Sequence, residues 1–477
     1  MSNSSTQSNQ SALYTLVTVW FFWSFVAASN GILIPLFKDK FELQQWQAQL
    51  VDFAFYAAYF VGSILYFVVS GIIKGDVLNR IGYKNGIIYG LIISAVGTIL
   101  FYPAAELKSF PILLSALFIV GLGFSLQQTA TQPFMIALGD PATGAQRINL
   151  GGAVNNLGGT IGPALISYAI FGSISADAAK NASIDSVKAP YLILGVVFAL
   201  FAVFFKLSKL PRITNDEDVE IGTGALKYPQ LLLGMSAIFV YVGVEVTIGS
   251  NLGEYLKVTE NLESSQIAKY VSLFWGSMMV GRWTASIGNF NFSQSTQTIL
   301  KVIVPFVAFA IVLGVNALGG SAVQDLLPYG FCVVMMIAAF FASQEKPVKT
   351  LLIYTACGAL TSLLGVIFTG KIALFLLISG GLFCSVLWPS IFSLGTAGLG
   401  KYTNQGAAFL IMMILGGAVI PVVQGILADS IGIQLSYLLA VACFGYLFFF
   451  GIRVQAVLRK QNIDFDKEVV KNTGKGH

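Results

Sequence analysis

The chain has one histidine, His477, and it is the last residue. A histidine proton relay is therefore not available to it. Charge is scarce as well, at 10% Asp, Glu, Lys and Arg against 56% apolar residues. A soluble domain of 477 residues needs a charged exterior and cannot hide that much apolar surface. Catalytic signatures are missing too. No HExxH, no GxSxG and no catalytic histidine is present, which places an intramembrane enzyme last among the function classes. Met1–Gln10 carries no Lys or Arg, so a cleaved signal peptide is not expected. The four cysteines, Cys332, Cys357, Cys384 and Cys443, all lie in apolar runs of the second half. Their spacing matches no metal or disulfide pattern, and buried free thiols are expected. Nothing in this composition calls for nucleic acid.

What the chain does have is long apolar runs. Ile112–Leu138 contains no charged residue at all. Runs of about 20 residues suit helices that cross a bilayer, and they exclude the short alternating strands of a membrane barrel. An all-α membrane protein is the expected class. Fourteen apolar segments are expected, six before the polar stretch Ser208–Lys227 and eight after it. With a cytoplasmic N-terminus, Lys74, Arg80, Lys84, Arg147, Arg282, Lys346 and the late Arg459 and Lys460 fall on the cytoplasmic side. The opposite side receives fewer, among them Lys38, Lys40, Lys108, Lys257 and Lys371. That bias follows the positive-inside rule and places both termini in the cytoplasm, which requires an even number of spans.

The two halves resemble each other. Gln132-Pro133-Phe134 is followed by Leu138-Gly139, and Trp388-Pro389-Ser390 by Leu394-Gly395. The next helix carries Gly158-Gly159-Thr160-Ile161-Gly162-Pro163 in one half and Gly416-Gly417-Ala418-Val419-Ile420-Pro421 in the other. Duplicated halves are a signature of secondary transporters. Pro133 and Pro389 are 256 positions apart, whereas Phe60-Val61-Gly62-Ser63 and Phe274-Trp275-Gly276-Ser277 are 214 apart. The second half has therefore gained 42 positions, which fits an extra two-helix hairpin. Residues 1–207 read as an N-terminal six-helix bundle and 208–227 as a cytoplasmic linker. Residues 228–453 read as a C-terminal bundle with the inserted hairpin at about 298–342, and 454–477 as a cytoplasmic tail.

The loop Gly75-Asp76-Val77-Leu78-Asn79-Arg80-Ile81-Gly82-Tyr83-Lys84 resembles the signature of the major facilitator superfamily, Gly-x-Leu-x-Asp-Arg-x-Gly-Arg-Arg. Asn79 stands where aspartate is usual. Asn79 and Arg80 are the expected conformational latch; a plain basic loop that sets topology is the simpler reading. Further runs are Tyr102-Pro103-Ala104-Ala105-Glu106, Gly121-Leu122-Gly123 with Gln128-Thr129-Ala130, and Arg147-Ile148-Asn149-Leu150 with Asn155. Later come Pro389-Ser390-Ile391-Phe392-Ser393-Leu394-Gly395 and Gly400-Lys401-Tyr402. Together they resemble the fucose–galactose–glucose:cation symporter family. The resemblance implies hexose transport by alternating access between two six-helix bundles, with sugar bound centrally. It also implies a bacterial inner-membrane location and H⁺ or Na⁺ as coupling ion, with no other cofactor. Fucose permeases of the family use an aspartate after an Asn in the first helix and a glutamate before Thr-Ala in the fourth. Here Gly31 and Gln128 occupy those places, as in the glucose/galactose branch.

A sugar needs many hydrogen bonds and a flat apolar face. Gln128 and Gln132 are four apart and share a helix face, and Asn149 and Asn156 are seven apart on another with Asn155 beside it. Asn30, Asn251 and Gln424 complete the candidate amides, and Trp388 before Pro389 is the candidate stacking ring. Interhelical hydrogen bonding is the plainer role for any of these amides. Ser29-Asn30-Gly31 and Gly249-Ser250-Asn251 suggest local unwinding, with close packing at glycine as the alternative. Asp52 and Glu245 are acids inside apolar runs and are the candidate cation-coupling residues. Partners are then a small sugar and membrane lipid, with the chain a monomer. Uniport without a coupling ion and sugar sensing without transport are the competing readings.

Overall fold

The structure is a computed structural model. It describes residues 2–43, 47, 50–140, 143–171, 183–211, 223–262, 264–290, 292–318 and 322–463. The acidic run 215–218 and the tail from residue 464, His477 included, lie outside the described residues.

The described chain is helical. In order, the long elements are α1 (Ser2–Lys40), α2 (Leu50–Ile72), α3 (Tyr83–Glu106), α4 (Phe110–Ala137), α5 (Gly144–Phe171) and α6 (Lys188–Leu207). After the linker come α7 (Pro229–Thr259), α8 (Ser264–Ser286), α9 (Gln294–Leu318), α10 (Gln324–Ser343) and α11 (Pro347–Ile367). The last three are α12 (Gly370–Thr396), α13 (Gly400–Ile431) and α14 (Ile433–Lys460). Proline opens α7 and α11, where its missing N–H costs no helix bond. Buried hydroxyls turn back onto carbonyls of their own helix, as Ser94 does on Gly90 O and Ser277 on Leu273 O. This lets polar side chains sit in apolar surroundings.

Among the described residues, twelve helices are long and apolar enough to cross a membrane. Fourteen such spans are expected from hydropathy, so the count is corrected to twelve by this criterion. The two outside it are α5 and α8. Both are of spanning length, but α5 carries Arg147, Asn149, Asn155 and Asn156, and α8 carries Lys269 and Arg282. The unwinding expected near Asn30 and Asn251 is also absent. Both α1 and α7 run through those residues unbroken. The glycine in α7 serves close packing instead, since a Cβ on Gly249 would lie 2.8 Å from the Phe274 ring.

The chain gathers into two compact units. The first comprises Met1–Gly139, Leu157–Lys227 and Leu399–Leu415; the second comprises Asp140–Asn156, Tyr228–Gly398 and Gly416–His477. Helices α5 and α13 are each shared, with their N-terminal halves packed in a different unit from the rest.

In the first unit, α3 meets α4 through glycine. A Cβ on Gly123 would stand 2.4 Å from Gly90 O, and one on Gly97 would stand 2.7 Å from the Val120 amide nitrogen. These contacts run antiparallel. On its other side α3 meets α6, where the Phe101 and Tyr191 rings stack at 3.8 Å and Gly195 lies against Thr98. That pair is antiparallel too, so α4 and α6 point the same way. The later part of α5 lies parallel on α1: Gly158 abuts Phe21 O and Gly162 abuts Phe25 O.

In the second unit, α8 runs antiparallel to both α7 and α9. Gly249 abuts Phe274 at one end and Tyr241 meets Arg282 at the other. Asn316 of α9 donates to Ser272 Oγ at 3.0 Å, and Gly276 abuts Val312. Ion pairs close the ends of the α9–α10 pair. Asp325 accepts from Lys269 and Lys371, each at 3.0 Å, and Lys301 pairs with Glu345. Ile299, Val302, Ile303, Phe306 and Val307 form an exposed apolar stripe on α9, the face a helix turns to lipid.

Candidate functional site

Each unit buries a polar group of its own. In the first unit, α4 supplies consecutive glutamines that point to different neighbours. Gln127, wholly buried, accepts from the Trp23 indole at 2.9 Å and donates to Ser94 Oγ at 3.1 Å. Gln128 donates to Tyr59 Oη at 3.1 Å, and Gln132 donates to Gln128 Oε1 at 3.3 Å. Asn30 donates to Asp52 Oδ1 at 3.3 Å. The sequence pairs Gln128 with Gln132, and the structure brings them together. It adds Tyr59 and joins Asn30 to Asp52, two residues the sequence treats separately.

In the second unit the polar group centres on Arg282, counted from the sequence as a cytoplasmic charge. That placement is corrected. Arg282 lies within α8 and is 6% exposed. Its Nε donates to Ser385 O at 2.9 Å, Nη1 to Asn156 Oδ1 at 3.0 Å and Nη2 to Tyr241 Oη at 3.3 Å. The Ser385 carbonyl is available for a simple reason. Its helix partner would be the amide four residues on, and that residue is Pro389, which has none. Glu245 lies one helical turn after Tyr241 on α7, within the field of Arg282. Trp388 is buried with its ring centroid 6.1 Å from that of Tyr241. Thus Asn156, Glu245 and Trp388 converge, with Arg282 and Tyr241 at their centre.

Asn251 and Gln424 also meet, at 2.9 Å, but they are committed elsewhere. Asn251 donates to Thr247 O as well, and Gln424 donates to Ser436 Oγ at 3.1 Å. Asn155 Oδ1 and Asn30 Oδ1 find no hydrogen-bond partner among the described residues. Buried acceptors of that kind need a partner. Asp52 and Glu245 present carboxylate oxygens where a proton or a hard cation can be held. No group of three His, Cys, Asp or Glu is gathered among the described residues. A bound Na⁺ would thus complete its shell with amide or backbone oxygens.

The loop before α3 forms a third polar group, in the first unit. Asp76 caps the short helix Val77–Ile81 by accepting from Asn79 N at 2.8 Å. Tyr66 donates to the same carboxylate. Asn404, at the start of α13, donates to Asp76 Oδ1 at 3.1 Å and to Asn79 Oδ1 at 3.0 Å, and accepts from Tyr83 Oη at 2.7 Å. The Arg80 side chain is exposed, and the Arg80 backbone amide donates to Asp76 O at 3.1 Å. The side-chain group is therefore Asp76, Asn79 and Tyr83 with Asn404, a residue the sequence reading does not single out. Asn404→Ala is expected to cost about 1–3 kcal/mol, because it leaves buried Asp76 and Tyr83 with fewer partners. Tyr83→Phe in the same background is expected to cost less than it does alone. Denaturation midpoints of the two single variants and the double would show that non-additivity.

Buried polar cores inside apolar helices, with acids and amides within them, define a multi-pass membrane carrier. The model of the Major Facilitator Superfamily matches residues 15–401. The glucose/galactose transporter of Brucella abortus biovar 1 (strain 9-941) is 34% identical over 447 residues, covering 92% of this chain and 93% of that protein. The putative glucose/galactose transporter of Helicobacter pylori (strain ATCC 700392 / 26695) is 33% identical over 459 residues, covering 94% and 97%. A crystal structure of the Escherichia coli fucose:proton symporter aligns with a TM-score of 0.70 at 25% identity, covering 94% of this chain and 99% of that one. The chain belongs to the major facilitator superfamily and, within it, to the fucose–galactose–glucose:cation symporter family.

Proposed function

We propose that the chain is a secondary transporter of hexoses of the glucose/galactose class, driven by symport of H⁺ or Na⁺. The observation that carries this reading is the convergence of buried Trp388, Tyr241 and Asn156 with half-buried Glu245. It offers an aromatic face, an amide and an acid together, in a chain one-third identical to glucose/galactose transporters. Asn30, Gln128, Gln132 and Asn155 are the matching candidates in the other polar group and beside it. Glu245 is the first choice for the coupling acid and Asp52 the second. The network of Asp76, Asn79, Tyr83 and Asn404 is the conformational latch, with residues 399–415 as the element it holds.

The same reading places both termini on one side of the membrane. Helices α4 and α6 are parallel, so the chain must return between them, and α5 is the helix available. Helices α7 and α9 are parallel with α8 between them. Even parity keeps both termini on one side, the cytoplasmic side of a bacterial inner membrane by loop charge.

Labelled glucose and galactose should counterflow in proteoliposomes, and an imposed pH or sodium gradient should concentrate one of them. Uptake indifferent to both gradients would instead identify a uniporter, and failure of either sugar to exchange would remove the substrate class.

A further inference from the structure

Arg282 brings a permanent positive charge into an apolar interior, because a guanidinium keeps its proton. An unpaired buried charge is costly, so its surroundings must compensate it. Three contacts do so with neutral oxygens: Ser385 O, Asn156 Oδ1 and Tyr241 Oη. Tyr241 accepts from Arg282, and Glu245 lies one turn further along the same face of α7, within the field of the guanidinium. The guanidinium is therefore shared between α5, through Asn156, and α7, through Tyr241 and the field of Glu245.

The α5 side of this arrangement is built around the arginine. A Cβ on Gly152 would stand 2.9 Å from Arg282 Cδ, so a side chain there would make the arginine stem shift. The neighbouring Trp283 indole donates to Ala153 O at 3.2 Å. Asn156 is the last α5 residue packed in the second unit, and from Leu157 onward α5 belongs to the first. The guanidinium thus grips α5 where its packing changes hands.

We infer that Arg282 is a positioning residue that converts the charge state of Glu245 into its hold on α5. This rests on the reading of Glu245 as the coupling acid. With Glu245 ionised, the guanidinium charge is partly compensated by the carboxylate and the hold on Asn156 is relaxed. With Glu245 neutralised by a proton or a bound cation, the charge falls back on Asn156 and Ser385 O, and α5 is held. The loaded carrier keeps this hold while sugar exchanges. The empty carrier must lose the cation before α5 is released for the return step.

The test separates exchange from net flux, using labelled glucose and galactose in proteoliposomes. Glu245→Gln should keep counterflow but lose net downhill uptake by about tenfold or more, because the hold on α5 is permanent. Adding Arg282→Gln should restore net downhill uptake to within about threefold of the unmodified chain, now without coupling. Gly152→Ala, whose Cβ would stand 2.9 Å from Arg282 Cδ, displaces the guanidinium from the α5 side in the Glu245→Gln background and is the second variant. A merely structural arginine predicts the opposite, since a second core change should deepen the defect. Restoration of net uptake in neither double variant overturns the inference. The coupling reading fails separately, if Glu245→Gln alone still accumulates sugar against its gradient.

Discussion

Gly416→Val should leave almost no folded protein in the membrane, and Gly158→Val should do the same. A Cβ on Gly416 would lie 1.9 Å from the carbonyl oxygen of Phe239, and one on Gly158 would lie 2.1 Å from that of Phe21. Both obstacles are backbone in the middle of a packed helix, so no rotamer change relieves the clash. Overpacking of a well-filled core costs about 1–3 kcal/mol, and a backbone collision sits at or beyond the top of that range. Against a total stability of about 5–15 kcal/mol, this is a large fraction. Gly425 lies on the same helix as Gly416 but has nothing within 4 Å of its would-be Cβ. Gly425→Ala should be neutral or stabilising by up to about 1 kcal/mol. Monodispersity and melting temperature in detergent would distinguish the three. Normal melting of Gly416→Val would refute the close approach of α7 and α13.

The same pair of glycines shows how much of the fold the sequence carried. The two Gly-Gly motifs read as repeats, and each places its first glycine on a phenylalanine carbonyl of a parallel helix. Phe21 and Phe239 are 218 positions apart, and Gly158 and Gly416 are 258 apart. Periodicity and spacing made this legible, because close helix approach needs small residues at fixed positions. The span count was less legible. Hydropathy averages a whole segment, so the polar faces of α5 and α8 lower the mean without revealing which way they point.

The site was legible by residue type and obscure by partner. Gln128 and Gln132 share a face by spacing alone, and they do meet. Gln127 differs by one position, points elsewhere and is as deeply buried, and nothing in a single helix says which glutamine faces which neighbour. Arg282 was hidden by the rule that assigns basic residues near span ends to the cytoplasm. Its compensation comes from Asn156, Tyr241 and Ser385, which are distant in sequence. Asn404 was hidden for the same reason, since its partners lie more than 320 positions away. Local pattern marks a polar residue as unusual in lipid, but only tertiary packing names its partner.

Glu245→Gln is expected to abolish accumulation, with the concentration ratio across the vesicle falling from about tenfold or more to unity. The amide keeps the size of the side chain. It cannot give up a proton or neutralise a cation, so the driving ion loses its carrier while the sugar keeps its contacts. Asp52→Asn is expected to do less. Asp52 sits in the first turn of α2 and is bonded to Asn30, which an asparagine can still engage through its own oxygen. Accumulation should therefore survive in Asp52→Asn, with a modest loss of affinity. Measured in matched proteoliposomes under an imposed pH gradient and then a sodium gradient, the two variants discriminate between the acids. Loss of accumulation in Asp52→Asn with retention in Glu245→Gln would move the coupling step to the first unit. Glu245 would then be a fixed counter-charge for Arg282, ionised throughout the cycle. Loss in both would mean that each acid carries charge in turn, and retention in both would leave the gradient without a carboxylate to act on.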